Sequence, residues 1–312
     1  MSPVNVLFAG HPDRWPEYEA PLTEALAEAG VTAQVTPTFD DPVSVSYVVY
    51  APNGPYTDLS PFTRLKAVLS LWAGVEDIVT NPTLTVPLAR MVDPGLTEGM
   101  VEWVTAHVLR HHLETDLDVL RAPGDWTPRV PPLARDRRVT VLGLGALGAA
   151  SAAALAALGF RVSGWSRSPK SLPGITCHFG PEGLAQILND TQILVLLLPA
   201  TPETDGILGA EMLAGMPEGA VILNPGRGPL IDDAALLAAL DAGRIAHATL
   251  DVFRQEPLPK SHPYWSHPRV TITPHIASAT RPGTAVRAIA ENVRRGEAGE
   301  PLLNLVDRTL GY

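Results

Sequence analysis

A short run rich in β-branched residues, Val139–Leu142, leads directly into Gly143-x-Gly145-x-x-Gly148 and then into the helix-forming stretch Ala149–Leu158. Each glycine in this order answers a physical need. Gly143 permits a tight turn, and Gly145, next to Ala146 and Leu147, lets backbone approach a pyrophosphate. Gly148 allows a helix to pack closely on the strand. The helix start offers unpaired N–H groups and the positive end of its dipole to phosphate oxygens. A glycine turn between two helices would need no strand in front of it. Here strand, loop, helix and a second strand at Phe160–Gly164 agree. The loop predicts a dinucleotide-binding α/β unit.

The rest of the chain is punctuated in the same way. Val4–Ala9, Val31–Val35, Val45–Tyr50 and Lys66–Leu71 read as strands, with a helix over Glu17–Ala29 that stops at Gly30. Leu96–Leu120 reads as one long helix, and Arg121–Arg138, rich in Pro and Arg, as an extended arm. Further strands are expected at Ile193–Leu198, Ala220–Asn224, Ala246–Leu250 and Val270–Thr273, with a final helix over Thr284–Arg295. Strands alternating with helices imply parallel sheets covered on both faces. The expected organisation has three segments: a substrate domain over residues 1–96, a dinucleotide-binding domain over 97–279, and 280–312 returning to the first domain. At 312 residues the chain has the length of two such domains.

The second strand of the dinucleotide unit decides which dinucleotide. An Asp or Glu about 20 residues past the glycine loop would bind ribose hydroxyls and repel a 2′-phosphate. This region instead reads Gly164-Trp165-Ser166-Arg167-Ser168-Pro169-Lys170, with no acid. Arg167, Lys170 and the hydroxyls of Ser166 and Ser168 suit a 2′-phosphate, so NADP(H) is the expected cofactor.

Reducing a 2-oxo acid requires a cationic anchor, a proton donor and a positioned hydride. Arg227 lies in a glycine-flanked loop after one strand, Glu256 after the next, and His275 after the last. Open α/β sheets place their ligands at such strand ends. A guanidinium can fork onto a carboxylate and a carbonyl oxygen. A Glu beside a His holds the ring and favours its protonated form. Singly, these residues suit a surface Arg, a capping Glu and a buried His; their order at successive strand ends points to chemistry.

Through these motifs the sequence resembles the D-2-hydroxyacid dehydrogenases, and within them the bacterial glyoxylate/hydroxypyruvate reductases. Leu71–Val75, Gly143–Gly148, Trp165–Ser168, Leu198–Thr204, Asn224–Asp232, Asp251–Pro257 and Thr273–Ala277 carry the resemblance, which covers essentially the whole chain. It implies a Rossmann NADP-binding domain inserted in a flavodoxin-like substrate domain. Arg227 then binds and polarises the substrate, His275 is the acid/base and Glu256 its partner. The N–H groups of Ala73 and Gly74 receive the carboxylate, Leu198 and Pro199 border the cofactor, and Asp251 faces the nicotinamide amide. A homodimer formed through residues 97–138 is also implied, with Trp126 and Arg129 covering a partner. Two residues depart from the family pattern: Gly226, where Ala is common, expected to loosen the loop, and Trp72, where smaller residues are usual, expected to narrow the pocket. Arg90 and Met91 are expected to border that pocket.

Composition removes other classes. With 23 basic against 33 acidic residues the net charge is −10, so overall attraction to nucleic acid or anionic lipid is not expected. A lone cysteine, Cys177, makes no internal disulfide and suits a reducing cytoplasm. Residues 1–10 lack the basic start of a signal peptide, and apolar runs fall short of the roughly 20 residues a membrane span needs. His107, His111, His112, His262 and His267 show no recognisable metal spacing, so no metal is expected. A non-catalytic dinucleotide sensor would keep the same three polar residues, but no appended tail or basic patch accompanies them. A phosphoglycerate- or formate-type dehydrogenase is the nearest enzymatic alternative; the former would usually carry an acid after the second strand and regulatory domains.

Overall fold

The computed structural model describes residues 3–311. They form two compact units, one built from the chain up to Leu96 together with Thr280 onward, the other from Thr97–Ala279.

The first unit holds β1 (Val4–Ala9), α1 (Trp15–Glu28), β2 (Ala33–Thr36), β3 (Tyr47–Tyr50), β4 (Ala67–Ser70), α2 (Glu76–Val79) and β5 (Leu88–Ala89). The strands run parallel in the order β2-β1-β3-β4-β5, a flavodoxin-like arrangement. Alternate residues point to opposite faces, as the two-residue period of a strand dictates. Val6, Phe8, Tyr47, Val49 and Leu69 join one core with Tyr18, Leu22 and Leu26 of α1 and Val286, Ile289 and Val293 further along the chain. Leu7, Val48, Tyr50 and Val68 join the other with Leu59, Phe62, Ile78 and Leu84. Burial on both faces explains the near-continuous apolar runs in the sequence.

The chain enters the second unit within α3 (Pro94–Leu113), followed by α4 (Thr115–Val119). Then come β6 (Arg138–Leu142), α5 (Ala146–Ala157), β7 (Arg161–Ser166), β8 (Thr176–Phe179) and α6 (Gly180–Leu188). After them follow β9 (Ile193–Leu196), α7 (Ala210–Gly215), β10 (Ala220–Asn224), α8 (Asp233–Asp241), β11 (Ile245–Leu250) and β12 (Val270–Ile272). The last helix, α9 (Pro282–Ala298), belongs to the first unit. The seven strands are parallel, in the order β12-β11-β10-β9-β6-β7-β8. This is a Rossmann sheet with one strand added. Its order reverses at β6, between β9 and β7, and ligands of such sheets bind at the strand ends beside that point. Met100, Trp103, Val104 and Val108 of α3 pack with Ala152 and Leu155 of α5 on one face, while Leu184, Leu213, Leu236 and Leu240 cover the other.

The long helix expected over 96–120 is interrupted. Glu114 adopts a left-handed φ of 54°, ending α3 and starting α4. Arg110 Nε braces the break at 2.8 Å from Asp116. Two short edge strands, β5 and β8, were not anticipated: β5 is only two residues long and β8 is half-exposed, so neither leaves a clear apolar run. The arm after α4 has no regular element except a single turn at Ala134–Asp136. Trp126 and Val130 on it are 95% and 96% exposed, whereas Arg129 is tied to the carbonyls of Leu113 and Glu114 and to Asp118.

Candidate active site

The glycine loop between β6 and α5 has one open position and two closed ones. A Cβ on Gly143, whose φ is +103°, would lie 2.4 Å from the Leu197 carbonyl oxygen, and one on Gly148 would lie 1.8 Å from the Gly143 oxygen. These two glycines are fixed by close backbone approach. At Gly145 a Cβ would meet nothing within 4 Å. Gly145 and Ala146 are exposed at the start of the twelve-residue helix α5. An open glycine over exposed helix N–H groups fits a pyrophosphate. These residues therefore suit a dinucleotide, with Ala146 and Leu147 supplying the first turn.

At the end of β7 the side chains divide. Trp165 is buried and its Nε1 donates to the Gly180 carbonyl at 2.8 Å. Ser166 is buried, and its hydroxyl donates to the Ser168 carbonyl at 2.8 Å. That hydroxyl proton shapes the turn. Arg167, Ser168 and Lys170 are exposed. Across from them, Glu203 has its carboxyl lowered by hydrogen bonds from the Thr201 hydroxyl and a backbone N–H, with Arg167 adding to the effect. Leu198 is buried and Pro199 half-buried; the carbonyl of Pro199 accepts the Thr204 hydroxyl at 2.7 Å.

Three loops after β10, β11 and β12 bring the polar centre together. His275 Nδ1 lies 2.6 Å from Glu256 Oε2, and Glu256 Oε1 accepts the Phe253 N–H at 2.9 Å. The hydrogen bond to Glu256 raises the His275 pKa, burial works against it, the Glu256 charge adds to the rise and Arg227 opposes it. For Glu256, burial pushes the carboxyl up, but the bonds from His275 and Phe253 outweigh it and hold it below the usual range. His275 is thus held protonated to a higher pH than a free imidazole, as a general acid requires.

His275 has a left-handed φ of 54°, uncommon for a residue with a Cβ. The surrounding bonds impose it. The His275 N–H donates to the carbonyl oxygens of Asp251 and Thr273. Asp251, with no accessible surface, accepts through Oδ1 from the Thr273 hydroxyl and the Ile276 N–H, and through Oδ2 from the Ala277 N–H. Its carboxylate is therefore committed to the loop that carries His275.

Arg227 is held between two pinned glycines. A Cβ on Gly226 would lie 2.7 Å from the Leu196 carbonyl oxygen, and one on Gly228 would lie 1.9 Å from the Phe253 carbonyl carbon. Asn224 clamps the loop from below, its Nδ2 donating to the Arg227 carbonyl at 2.9 Å and its Oδ1 accepting the Gly226 N–H at 3.2 Å. Arg227 Nη1 donates to the Gly226 carbonyl at 2.7 Å. The loop is tight, contrary to the expectation that Gly226 loosens it.

In the first unit, the turn after β4 carries Trp72, Ala73 and Gly74. Trp72 is 40% exposed. Its backbone is fixed by Ser70 Oγ, which bonds both its N–H and its carbonyl at 3.1 Å, and by the Met91 N–H at 3.0 Å. The Met91 side chain is buried in the core with Leu96 and Val286. The Arg90 N–H donates to the Asn304 carbonyl at 3.0 Å. No group of three or more His, Cys, Asp or Glu among the described residues is placed to hold a metal. No helix of the described residues is long and apolar enough to cross a membrane.

A family model described as D-isomer specific 2-hydroxyacid dehydrogenase, NAD binding domain, matches residues 104–277. This chain belongs to the D-isomer specific 2-hydroxyacid dehydrogenases. Glyoxylate/hydroxypyruvate reductase A of Serratia proteamaculans is 40% identical over 317 aligned residues, covering 99% of this chain and 100% of that protein. Among solved structures, the 2-hydroxyacid dehydrogenase of Xanthobacter autotrophicus in complex with NADPH and MES is 42% identical, covers 100% of both chains and has a TM-score of 0.91. The NADPH-dependent glyoxylate/hydroxypyruvate reductase of Sinorhizobium meliloti with NADP and sulfate is 35% identical, with 100% of both chains covered and a TM-score of 0.85. The Gly143–Gly148 loop lies inside the matched NAD binding domain.

Two positioning residues of this dehydrogenase escaped the sequence reading, Asn224 and Thr273, as did the hydrogen bonds by which Asp251 holds the His275 loop. The available signal was a polar residue closing an apolar strand, as Asn224 closes Ala220–Leu223 and Asp251 follows Ile245–Leu250. Arg254 was also missed. Its guanidinium binds the carbonyls of Pro229 and Ile231 and pairs with Asp205 at 3.0 Å, tying the Glu256 loop to the turn after Arg227.

Proposed function

We propose that this chain reduces small 2-oxo acids, glyoxylate and hydroxypyruvate, to the corresponding D-2-hydroxy acids with NADPH. The observation that carries the reading is the 2.6 Å contact between Glu256 and the raised-pKa imidazole of His275, two strand ends from a guanidinium. NADPH, when bound over Gly145, supplies the hydride. Arg227 holds the substrate carboxylate and ketone oxygen and stabilises the charge that grows on that oxygen. His275 delivers a proton from Nε2, since Nδ1 is engaged by Glu256, and Glu256 retains the imidazolium until transfer. Ala73 and Gly74 receive the remaining carboxylate oxygen through their N–H groups, and Trp72 beside them limits substrate size. Arg167 and Lys170 bind the 2′-phosphate. The Serratia relative, described as a glyoxylate/hydroxypyruvate reductase, supports the substrate class, and the Sinorhizobium structure, described as an NADPH-dependent one, supports both substrate class and cofactor.

The deciding assay is initial-rate kinetics on glyoxylate, hydroxypyruvate and phenylpyruvate with NADPH and with NADH. The two small acids with NADPH are expected to give the highest kcat/KM. Failure to turn over any 2-oxo acid would remove the reading. We further propose a cytoplasmic homodimer, with the exposed Trp126 and Val130 of the arm at its interface; a monomer in sedimentation at micromolar concentration would refute the dimer.

A further inference from the structure

The turn that carries Ala73 and Gly74 is closed by a residue from a distant part of the chain. β4 ends at Ser70, and the Leu71 N–H extends its ladder by donating to the Tyr50 carbonyl at 2.7 Å. On the other edge β5 pairs only with Val68 and Leu69. The Leu71 carbonyl lies beyond that pairing, and the Thr280 hydroxyl donates to it at 2.6 Å, an ordinary distance for an O–H···O bond. The next carbonyl, that of Trp72, is held by the Met91 N–H and the Ser70 hydroxyl. After these two engaged carbonyls come the N–H groups of Ala73 and Gly74, which donate to no acceptor among the described residues. Thr280 is the first residue of the segment that returns to this unit. Its neighbour Arg281 is the N-cap of α9 and places Nη1 at 2.6 Å from the Gly95 carbonyl. α9 is fixed in the core through Val286, Ile289 and Val293. The hydroxyl therefore has a rigid support, and a β-branched side chain has few rotamers with which to leave it.

We propose that Thr280 is a positioning residue for the substrate-carboxylate turn, its hydroxyl holding the Leu71 carbonyl so that the Ala73 and Gly74 N–H groups keep their aim. The inference rests on that turn receiving the carboxylate, as proposed above. The carboxylate does not react, so its grip is much the same in the ground state and the transition state. Loosening it raises KM and leaves kcat nearly unchanged. Without the hydroxyl, Ser70 and Met91 still hold Trp72, so the turn loosens and does not collapse. Misplacements of about 1 Å cost on the order of 100-fold, and roughly half that displacement corresponds to about a tenfold loss in kcat/KM.

The test is Thr280→Val, which keeps the shape and removes the donor, beside Thr280→Ser, which keeps the donor. Both are measured for kcat and KM on glyoxylate across pH, for NADPH affinity by quenching of protein fluorescence, and for binding of oxamate, a carboxylate–carbonyl mimic, to the NADPH complex. Thr280→Val is expected to raise the glyoxylate KM about tenfold and to weaken oxamate to match, with kcat within about twofold of wild type. NADPH affinity and the pH–rate limb should stay as in wild type, and Thr280→Ser should restore KM. An unchanged KM in Thr280→Val overturns the proposal, as does an equal rise in Thr280→Ser. A loss confined to kcat, or a moved pH limb, would place the effect in the His275 loop and overturn it too. Should Thr280→Val not fold, Thr280→Ala removes the same donor with less bulk, and a wild-type KM there would again overturn the proposal. A wild type inactive on every 2-oxo acid would instead overturn the functional reading, and this inference with it.

Discussion

Replacing Asp251 with Asn tests whether the His275 loop is held as described. The carboxylate is fully buried and accepts three hydrogen bonds, two through Oδ1 and one through Oδ2. An amide has one acceptor and one donor end. In its better orientation Asn keeps the Thr273 and Ile276 bonds on its oxygen and turns its NH2 toward the Ala277 N–H, donor against donor. That loses one charge-assisted bond, worth about 1.5–3 kcal/mol, and strands a buried N–H at a further cost of about 1–3 kcal/mol. The expected destabilisation is therefore about 3–5 kcal/mol. For a unit of this size each kcal/mol lowers Tm by roughly 2–4 °C, so a fall on the order of 10 °C is expected by calorimetry. Activity should fall as well, because the left-handed conformation of His275 is itself unfavourable by about 1–2 kcal/mol and persists only while its neighbours impose it. NADPH binding should survive, since Gly143–Gly148 lies elsewhere on the sheet. A variant with wild-type Tm and wild-type kcat would refute the clamp.

Glu256→Gln removes the partner that raises the His275 pKa. The protonated imidazole then survives only to a lower pH, so the limb on which reduction falls with rising pH should move downward; an unmoved limb in a pH–rate profile would dissolve the pairing. Arg227→Lys keeps the charge but loses the fork, and kcat/KM on glyoxylate should drop by about two decades. Arg167→Asp should turn the preference from NADPH toward NADH in steady-state kinetics, and an unchanged ratio would exclude Arg167 from the phosphate site. Trp72→Ala should raise kcat/KM for phenylpyruvate relative to glyoxylate, and an unchanged ratio would show that the indole does not limit substrate size.

What the sequence revealed follows the strength of the physical signal. Doubly buried strands such as Val4–Ala9 and Ala220–Asn224 stand out because both faces demand apolar residues. The glycine loop stands out because backbone approaches of 1.8 and 2.4 Å exclude any side chain at Gly148 and Gly143. Thr176–Phe179 was invisible because an edge strand exposed on one side tolerates mixed residues. The break at Glu114 was invisible because no Pro or Gly marks it, while a local φ of 54° sets the chain on a new course. In the site, residue types announced themselves, but their hydrogen-bond duties did not. Asp251 and Ser166 each hydrogen-bond within their own loop, a matter of side-chain direction that spacing does not encode.

Histidines in one unit show why the proposed proton delivery falls to His275. His111 faces His247 with ring centroids 5.0 Å apart, and their Nε2 atoms bond the hydroxyls of Thr249 and Thr271. Burial, aided by Arg110 and by other histidines, lowers them from 6.5 to about 3 and about 4. Both are neutral in the folded chain near neutral pH, while the unfolded chain protonates them below about 6.5. Their contribution to stability is therefore complete above that value and is lost as pH falls toward the folded values. Neither can donate a proton at neutral pH. His275 differs in one respect that matters: a carboxylate lies 2.6 Å from its ring, and this outweighs burial and Arg227 together. The same imidazole is a neutral packing element where only hydroxyls meet it and a proton donor where a carboxylate does. In a chain of net charge −10, the proposed function draws the cation that would bind and protonate an anionic substrate from local groups, Arg227 and a Glu256-supported His275.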